Sequence, residues 1–360
     1  MFKSLLALLL TVSGLKAFAQ KTTITGYYAG DEAHLDAYNH YQLDYIIFSF
    51  CHLKGNRLHV ANAADSALIR KMVSYKQTHP GLKVLLSLGG WGGCATCSPV
   101  FATKKGREEF AASARELLAY FKADGIDLDW EYPVVAGYPG HPYRTADRQN
   151  FTLLVKAMRN QFGPNYEISF ASGGSTICVD SSFEWKKVME VVDKVNLMSY
   201  DLVHGNSTAS GHHTALYSTP QQLESTDNAV RKMIAAGVPS RKIIIGAATY
   251  ARVFQVADTT DHGLYRKAVF DHAISYKDLY DSLASRNGFI QYYDPVSKSP
   301  YAFHAGRKAF VTYDDSVSIR EKMLYVKKMN LGGIMFWQLM DDKPQDGVLN
   351  MMYSVRKNEE

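Results

Sequence analysis

Short apolar runs rich in β-branched and aromatic residues alternate along the chain with longer stretches in which apolar and charged residues recur at helical spacing. Eight runs have the length and composition of strands: residues 24–28, 45–50, 83–88, 125–130, 167–171, 194–200, 242–248 and 333–339. Helical stretches lie between most of them: residues 64–77, 104–122, 148–161, 184–190, 219–236 and 317–329. This alternation is typical of an α/β protein with a parallel sheet.

The number of strand-like runs predicts how that sheet closes. Eight parallel strands with helices between them favour a (β/α)8 TIM barrel, and 360 residues accommodate one such barrel with an insertion. Turn pairs such as Pro80-Gly81 and Gly163-Pro164 end helices where a strand should follow. The alternative, an open Rossmann-type sheet, lacks its Gly-x-Gly-x-x-Gly turn after the first strand. We therefore predict the barrel.

The spacing of elements changes between the seventh and eighth runs. Residues 252–313 replace the usual single helix and are rich in tyrosine, phenylalanine and aspartate. A loop of this length without structure of its own would be unusual. We predict a small α+β insertion over residues 252–313 that walls one side of the site, with the barrel formed by residues 20–251 and 314–360. The alternative is a decoration that only packs on the barrel.

The first nineteen residues are predicted to be a signal peptide. Lys3 precedes an apolar run over residues 5–12, and Ala17-Phe18-Ala19 has the small residues of a cleavage site before Gln20. The run is too short to span a membrane, and no later stretch reaches eighteen apolar residues. We expect a secreted or periplasmic protein, cleaved after Ala19, with no membrane partner.

Composition narrows the classes of function. An exported protein can keep disulfides; the pattern Cys94-x-x-Cys97 favours a short loop disulfide, with free thiols at Cys51 and Cys178, although the sequence alone leaves all three pairings open. A formal charge of +5 without a basic run argues against nucleic acid as a partner. No His-Glu-x-x-His, Gly-x-Ser-x-Gly or phosphate-loop pattern is present, so we expect no metal and no other cofactor.

The strongest chemical signal lies in residues 124–133. Asp127, Asp129 and Glu131 alternate with three apolar residues, so an extended strand places three carboxylates on one face. Carboxylates on one face lie roughly 6–7 Å apart at their Cα atoms, and their repulsion leaves at least one protonated near neutral pH. A protonated carboxyl beside an ionised one suits general acid catalysis at a glycosidic oxygen. The alternatives are a polar strand face or a calcium loop, but neither register supplies the required Gly and Glu of the loop.

Aromatic residues surround these acids if the barrel is correct, because barrel active sites collect at the C-terminal ends of the strands. The predicted strand ends carry Tyr27, Phe50, Trp91, Met198, Tyr200, Asp201, Tyr250, Arg252 and Trp337. Each aromatic residue alone is more simply explained as core. Together they form a cup that suits sugar rings, whose C–H faces stack on aromatic side chains.

The pattern Asp124-x-x-Asp127-x-Asp129-x-Glu131 resembles the signature of the chitinases of glycoside hydrolase family 18, a barrel family. Four further motifs support the resemblance, which covers nearly the whole chain after the leader and in the family's order: Ser87-Leu88-Gly89-Gly90, Met198-Ser199-Tyr200-Asp201, Tyr250-Ala251-Arg252 and Gly333 to Trp337. The four-acid motif is the specific one.

The resemblance implies hydrolysis of β-1,4-linked N-acetylglucosamine with retention, in which the substrate's own N-acetyl group replaces a carboxylate nucleophile. Glu131 would protonate the leaving oxygen, Asp129 would orient the acetamide, and Asp127 would share the proton or the charge of Asp129. Tyr200 would donate a hydrogen bond to the acetamide carbonyl as an oxazolinium intermediate forms, and Asp201 would contact the sugar or tune Glu131. The sugar-binding residues would be Tyr27, Phe50, Trp91, Met198, Tyr250, Arg252 and Trp337.

The resemblance also implies chitin or chitooligosaccharides as the partner of a monomeric protein, and non-proline cis peptides at Ser49-Phe50 and Trp337-Gln338. Asp124 has the opposite strand parity, so we expect a structural role for it. Two alternative functions remain: a non-catalytic chitin-binding lectin of the same fold, which would lack the acid, and an endo-β-N-acetylglucosaminidase acting on N-glycan cores, most of which lack the insertion.

Overall fold

The computed structural model of the protein describes residues 21–359. The predicted signal peptide, residues 1–19, lies outside the described residues. The strands in the described part are β1 (Thr23–Tyr28), β2 (Tyr45–Lys54), β3 (Arg57–His59), β4 (Lys83–Gly89), β5 (Gly125–Asp129), β6 (Glu167–Gly173), β7 (Lys194–Met198), β8 (Ile243–Ala248), β9 (Tyr250–Val256), β10 (Ala268–Ser275), β11 (Ile290–Asp294), β12 (Ser299–His304), β13 (Ala309–Thr312) and β14 (Gly333–Trp337).

Eight of these strands close into a parallel barrel. Around the ring they follow the order β1, β2, β4, β5, β6, β7, β8 and β14, and β14 pairs with β1 to complete it. Each of the eight predicted runs supplies one barrel strand, so the predicted (β/α)8 TIM barrel is confirmed. The short strand β3 pairs with the C-terminal half of β2 in the antiparallel direction, outside the ring.

Helices cover the barrel and include the six that were predicted, with small shifts at their ends and one larger shift. They are α1 (Glu32–Leu35), α2 (Ala63–Ser74), α3 (Cys97–Phe101), α4 (Lys104–Phe121), α5 (Asp147–Phe162), α6 (Thr176–Ser181), α7 (Trp185–Met189), α8 (Thr226–Ala235), α9 (Tyr276–Ser282), α10 (Ser316–Lys328) and α11 (Val348–Glu359). None of the helices in residues 21–359 is both long and apolar enough to cross a membrane.

Helix α8 begins at Thr226 rather than at residue 219, so the predicted start was wrong. Ser225 is the N-cap, because its side-chain Oγ accepts the backbone N–H of Asn228 at 3.1 Å. The preceding residues form a separate turn in which Gln222 N–H donates to the Thr219 carbonyl at 3.2 Å. Local capping thus overrides the helical composition of residues 219–225.

Strand β5 has an apolar face and an acidic face. On the apolar side, the Trp130 ring that follows the strand lies 5.5 Å from Phe101 of α3 and 6.4 Å from Phe151 of α5, so this side packs against helices. On the other side, Asp127 is in register with Ser169 of β6 inside the ring. The predicted alternation is confirmed up to the end of the strand.

A second sheet adjoins the C-terminal end of the barrel. Its strands are antiparallel and follow the order β10, β9, β13, β12 and β11. Only Thr249 separates β8 from β9, so the chain passes directly from a barrel strand into this sheet. Tyr250 and Arg252 therefore occupy one face of β9 beside the barrel mouth. The division of the chain into a barrel and an insertion domain over residues 252–313 stays a prediction.

Several smaller predictions are confirmed. A disulfide joins Cys94 and Cys97, while Cys51 and Cys178 are buried free thiols. The peptides Ser49-Phe50 and Trp337-Gln338 are cis, and so is Glu131-Tyr132, which was not predicted.

Asp124 has the predicted structural role at the start of β5. Its Oδ2 accepts the backbone N–H of Val84 at 2.8 Å, and its Oδ1 lies 2.6 Å from Lys76 Nζ. The carboxylate thus joins β4 to β5 and to the turn that follows α2, away from the catalytic residues predicted on the other face.

Candidate active site

Asp127 forms the bottom of the site and is fully buried in the barrel lumen. Its Oδ2 accepts hydrogen bonds from Tyr27 Oη (3.0 Å) and Ser87 Oγ (2.9 Å), and its Oδ1 accepts from Ser169 Oγ (2.6 Å) and Asn196 Nδ2 (3.1 Å). Burial raises the pKa of Asp127, and the four hydrogen bonds act in the opposite direction. The donors from four strands therefore offset part of the effect of burial, and the net shift of the Asp127 pKa is upward.

Asp129 lies one layer higher and is only 4% exposed. The N–H of Gly90, at the end of β4, donates to its backbone carbonyl at 2.9 Å. Its side-chain Oδ1 is buried without a hydrogen-bond partner among the described residues. Burial, together with the charges of Glu131 and Asp127, raises the pKa of Asp129 well above its ordinary value. Burial and the neighbouring charges thus favour the protonated form of Asp129.

Glu131 lies beyond the end of β5 at the barrel mouth and is partly exposed. Burial raises the pKa of Glu131 to about 7, a hydrogen bond from the Tyr132 hydroxyl opposes that rise, and the charge of Asp201 adds to it. This carboxyl therefore gains and loses its proton near neutral pH, which a general acid requires.

The sequence analysis gave Tyr132 no role in tuning Glu131. Burial and the charge of Glu131 raise the pKa of Tyr132 well above its ordinary value, so its hydroxyl remains a donor to Glu131. Strand alternation assigns neighbouring residues to opposite faces, so it gives no sign that Tyr132 acts on Glu131. The strand ends at Asp129, and alternation no longer applies beyond it.

Tyr200 follows β7 and faces the acids. Its hydroxyl lies 4.0 Å from Met335 Sδ, a weak acceptor. Burial, together with the charges of Asp129 and Glu131, raises the pKa of Tyr200 well above its ordinary value. The hydroxyl therefore stays protonated and can donate to a stronger acceptor on a ligand.

Asp201 is held in place from the second sheet. Its Oδ1 accepts hydrogen bonds from Tyr250 Oη (2.8 Å) and Arg252 Nε (2.5 Å), and its Oδ2 accepts from Arg252 Nη2 (2.5 Å). Burial favours the neutral carboxyl, but the adjacent His213 and Arg252 hold the pKa of Asp201 well below its usual range. Asp201 thus carries a fixed negative charge near Glu131, and Tyr250 and Arg252 are engaged with it.

His213 is a residue that the sequence analysis missed. It is fully buried, with Nδ1 at 3.6 Å from Asp201 Oδ1 and its ring 5.3 Å from that of Tyr250. Burial lowers the pKa of His213, and the charge of Asp201 opposes this change. His213 enters from the long connection between β7 and α8, and no local pattern in the sequence ties it to Asp201.

The predicted aromatic residues divide into an open group and a buried group. Phe50 and Trp337 stack with their ring centroids 5.5 Å apart and their planes at 16°, and Trp91 on the rim is 57% exposed. Tyr27 and Met198 are buried in the lumen with Met335. Their predicted roles in binding substrate stay predictions. Among residues 21–359, no group of three or more His, Cys, Asp or Glu side chains is arranged to hold a metal ion.

Comparison with known proteins places the chain in a family. The model of the glycosyl hydrolases family 18 matches residues 23–342. The chain is 33% identical over 299 residues to chitinase A1 of Niallia circulans, covering 76% of this chain and 43% of that protein. It is 30% identical over 323 residues to chitotriosidase-1 of Mus musculus, covering 83% of this chain and 67% of that protein. An oviduct-specific glycoprotein of Mus musculus is also 30% identical, and the chain covers 43% of it.

Solved structures share both the fold and part of the sequence. A glycoside hydrolase family 18 N-acetylglucosaminidase from Paenibacillus barengoltzii superposes with a TM-score of 0.85 at 32% identity, covering 93% of this chain and 99% of that chain. Chitinase ChiW from Paenibacillus sp. str. FPU-7 superposes with a TM-score of 0.85 at 30% identity, covering 93% of this chain and 42% of that chain. The family match includes every strand of the barrel and every site residue described above, and the chain therefore belongs to glycosyl hydrolase family 18.

Proposed function

We propose that the protein is a secreted chitinase that hydrolyses β-1,4 linkages between N-acetylglucosamine residues with retention of anomeric configuration. The observation that carries the proposal is the state of Glu131, whose pKa is raised to about 7 at the mouth of the barrel. Such a carboxyl can give a proton to a glycosidic oxygen and later accept one from water. The aromatic pair Phe50 and Trp337 supports a sugar ring as the ligand beside it.

In the first step, Glu131 protonates the leaving oxygen while the carbonyl oxygen of the substrate's N-acetyl group attacks the anomeric carbon. The glycosidic C–O bond breaks and an oxazolinium ion forms. Asp129 accepts a hydrogen bond from the acetamide N–H, and the Tyr200 hydroxyl donates to the acetamide oxygen. In the second step, the Glu131 carboxylate takes a proton from water as that water attacks the anomeric carbon, which restores the starting configuration.

The state of the neighbouring carboxyls favours this route over a carboxylate nucleophile. Asp201 is bound through both oxygens to Arg252, and Asp127 is fully buried beneath four donors. The pKa of Asp129 is raised well above its ordinary value by burial and by the charges of Glu131 and Asp127. Asp201 is ionised but engaged with Arg252, Asp127 is out of reach of solvent, and the raised pKa of Asp129 favours its neutral form. This arrangement supports the substrate's own acetamide as the nucleophile.

Chitin as the substrate is supported by the names of two relatives, a chitinase and a chitotriosidase. Export rests on the leader predicted for residues 1–19, and we expect a mature N-terminus at Gln20 that sequencing of the exported protein can verify.

The lectin alternative gains support from an oviduct-specific glycoprotein, whose name states no hydrolase activity. The presence of Glu131 supports the enzyme.

The proposal is tested by following the products of an N-acetylglucosamine oligomer series over time and assigning the anomer of the first products. We expect the β-anomer to appear first, and tight inhibition by a thiazoline that mimics the oxazolinium ion. Binding without hydrolysis would establish the lectin, and an α-anomer as the first product would contradict substrate assistance. Release of glycans from a glycoprotein but not of sugars from chitin would establish the endo-β-N-acetylglucosaminidase.

The charge of Asp201 affects the pKa of Glu131, so a substitution at Asp201 should change the pH dependence of the reaction. Wild-type activity should fall as the pH rises above about 7, because Glu131 loses the proton that it donates. Asp201→Asn removes a negative charge that raises the pKa of Glu131, so the alkaline limb should move to lower pH by roughly half a unit to one unit. The measurement is kcat against pH on a soluble oligomer.

The matched control is Asp193→Asn, because Asp193 also binds an arginine, Arg159, at 2.6 Å, but lies at the other end of the barrel. This control should keep the wild-type alkaline limb. If the alkaline limb of the Asp201→Asn profile stays in place or moves to higher pH, Asp201 does not tune the pKa of Glu131.

A further inference from the structure

A row of aromatic rings leads from the catalytic centre to the protein surface. It begins with the stacked pair Trp337 and Phe50. The Phe50 ring lies directly against Gly90, where an added Cβ would be 2.3 Å from a ring carbon. The next residue is Trp91, and its indole meets the ring of Tyr138 edge to face, with centroids 5.6 Å apart and planes at 70°. The row therefore continues beyond the residues that surround the scissile bond.

Tyr138 belongs to the loop between Glu131 and α5, and this loop is tied to the catalytic acid. The Cα of Gly137 approaches the Glu131 carbonyl so closely that an added Cβ would lie 2.1 Å from that oxygen. Only glycine fits at this contact. The N–H of His141 donates to the Tyr138 carbonyl at 3.0 Å, which closes a turn around the tyrosine. The backbone around Tyr138 is thus held close to the catalytic segment.

The Trp91 segment is held just as closely on the other side of the contact. Gly93 N–H donates to the Gly90 carbonyl at 2.8 Å, and the disulfide between Cys94 and Cys97 follows directly. Gly92 has a φ of 85° and presents its Cα to the Tyr138 ring, where an added Cβ would be 3.3 Å away. Backbone contacts thus hold both segments, and the Trp91 side chain is the exposed part between them.

An indole that is 57% exposed has little burial to fix its orientation. The edge-to-face contact with Tyr138 supplies that restraint, because aromatic pairs in this geometry attract each other beyond the area they bury. A ring that is already oriented loses less entropy when a sugar stacks on it than one that rotates freely. The contact therefore affects only those sugars that reach Trp91.

We propose that Tyr138 is a specificity-determining residue that positions Trp91 to stack on a sugar beyond the scissile bond, and thereby gives the protein a preference for long oligomers over short ones. Its effect passes through Trp91, so it is a positioning residue. The inference rests on the proposed function for the identity of the sugar chain. It adds that chain length is recognised at the end of the cleft where Trp91 lies.

The test measures binding by calorimetry in the Glu131→Gln background, where oligomers are not consumed. Tyr138→Ala should weaken binding of the N-acetylglucosamine hexamer about 3- to 10-fold and binding of the dimer less than about 2-fold. Tyr138→Phe keeps the ring and should restore hexamer binding. Tyr143→Ala is the matched control, because Tyr143 is 51% exposed in the same loop, and it should bind the hexamer like the parent.

A double-mutant cycle with Trp91→Ala separates positioning from a general structural effect. Once Trp91 is removed, Tyr138→Ala should cause no further loss of hexamer binding. Equal losses for dimer and hexamer, or a full additional loss in the Trp91→Ala protein, would overturn the proposal. A wild type that binds the hexamer without hydrolysing it would refute the proposed function while the binding cycle still decides the role of Tyr138. A parent that binds no oligomer would overturn both.

Discussion

Replacing Glu131 by glutamine is expected to lower kcat on N-acetylglucosamine oligomers by about 10²- to 10⁴-fold, the usual contribution of a general acid. The amide keeps the shape of the side chain and can still accept a hydrogen bond from Tyr132, but it has no proton to give to the leaving oxygen. Binding of oligomers should change little, because the aromatic pair Phe50 and Trp337 is untouched. Steady-state kinetics and calorimetry on the same oligomer measure the two effects separately.

A matched control for this variant is Glu224→Gln. The Glu224 carboxylate accepts the backbone N–H of Thr176 at 2.9 Å, at the start of α6, and takes no part in the proposed reaction. Its kcat should remain within about twofold of the wild type, as expected for a substitution outside the reacting groups. If Glu131→Gln retained near-normal turnover, another residue would have to protonate the leaving group.

Replacing Tyr200 by phenylalanine is expected to lower kcat by about 10²- to 10³-fold, the cost of removing one donor to a developing charge. Within residues 21–359, the hydrogen-bond contact of this hydroxyl is to the weak acceptor Met335 Sδ, at 4.0 Å. The variant therefore gives up little in the free protein and loses its hydrogen bond mainly in the oxazolinium-like transition state. Thermal stability should stay close to that of the wild type.

The control for this variant is Tyr325→Phe on α10. The Tyr325 hydroxyl donates to Asp227 Oδ1 at 2.8 Å, well away from the catalytic trio. Removing it costs a structural hydrogen bond, so stability should fall by about 1 kcal/mol while kcat is retained. A Tyr200→Phe protein that lost stability but kept its kcat would show that the hydroxyl serves the fold instead of the reaction.

The pH prediction for Asp201 and the rate predictions for Glu131 and Tyr200 test different parts of one electrostatic arrangement. Burial raises the pKa of Glu131 to about 7, and the fixed charge of Asp201 adds to the rise. Burial, together with the charges of Asp129, Glu131 and Asp201, likewise raises the pKa of Tyr200. The proton donor and the hydrogen-bond donor are thus maintained together by charges that the barrel holds in place. A change at Asp201 should alter the pH profile, whereas a change at Tyr200 should alter the maximal rate.

Much of the fold could be predicted from local patterns because those patterns act over a few residues. The eight apolar runs became the eight barrel strands, and the alternation of residues 126–130 placed Asp127 and Asp129 in the lumen. The Cys94 to Cys97 spacing likewise predicted its own disulfide. Prediction failed where alternation ended: β5 stops at Asp129, so Tyr132 reaches Glu131 from a loop that follows no strand parity.

The sequence by itself determined which residues are present at the strand ends: three acids on one segment, a Tyr200-Asp201 pair, and Trp337. Only the tertiary structure decided their ionisation, because charge stabilisation depends on burial and on partners from distant parts of the chain. Asp127 receives hydrogen bonds from Ser169, 42 residues away, and from Tyr27, 100 residues away. Asp201 likewise depends on Arg252, 51 residues away. Local patterns carry no information about contacts between residues so far apart in the sequence. Closure of the barrel brings these residues together.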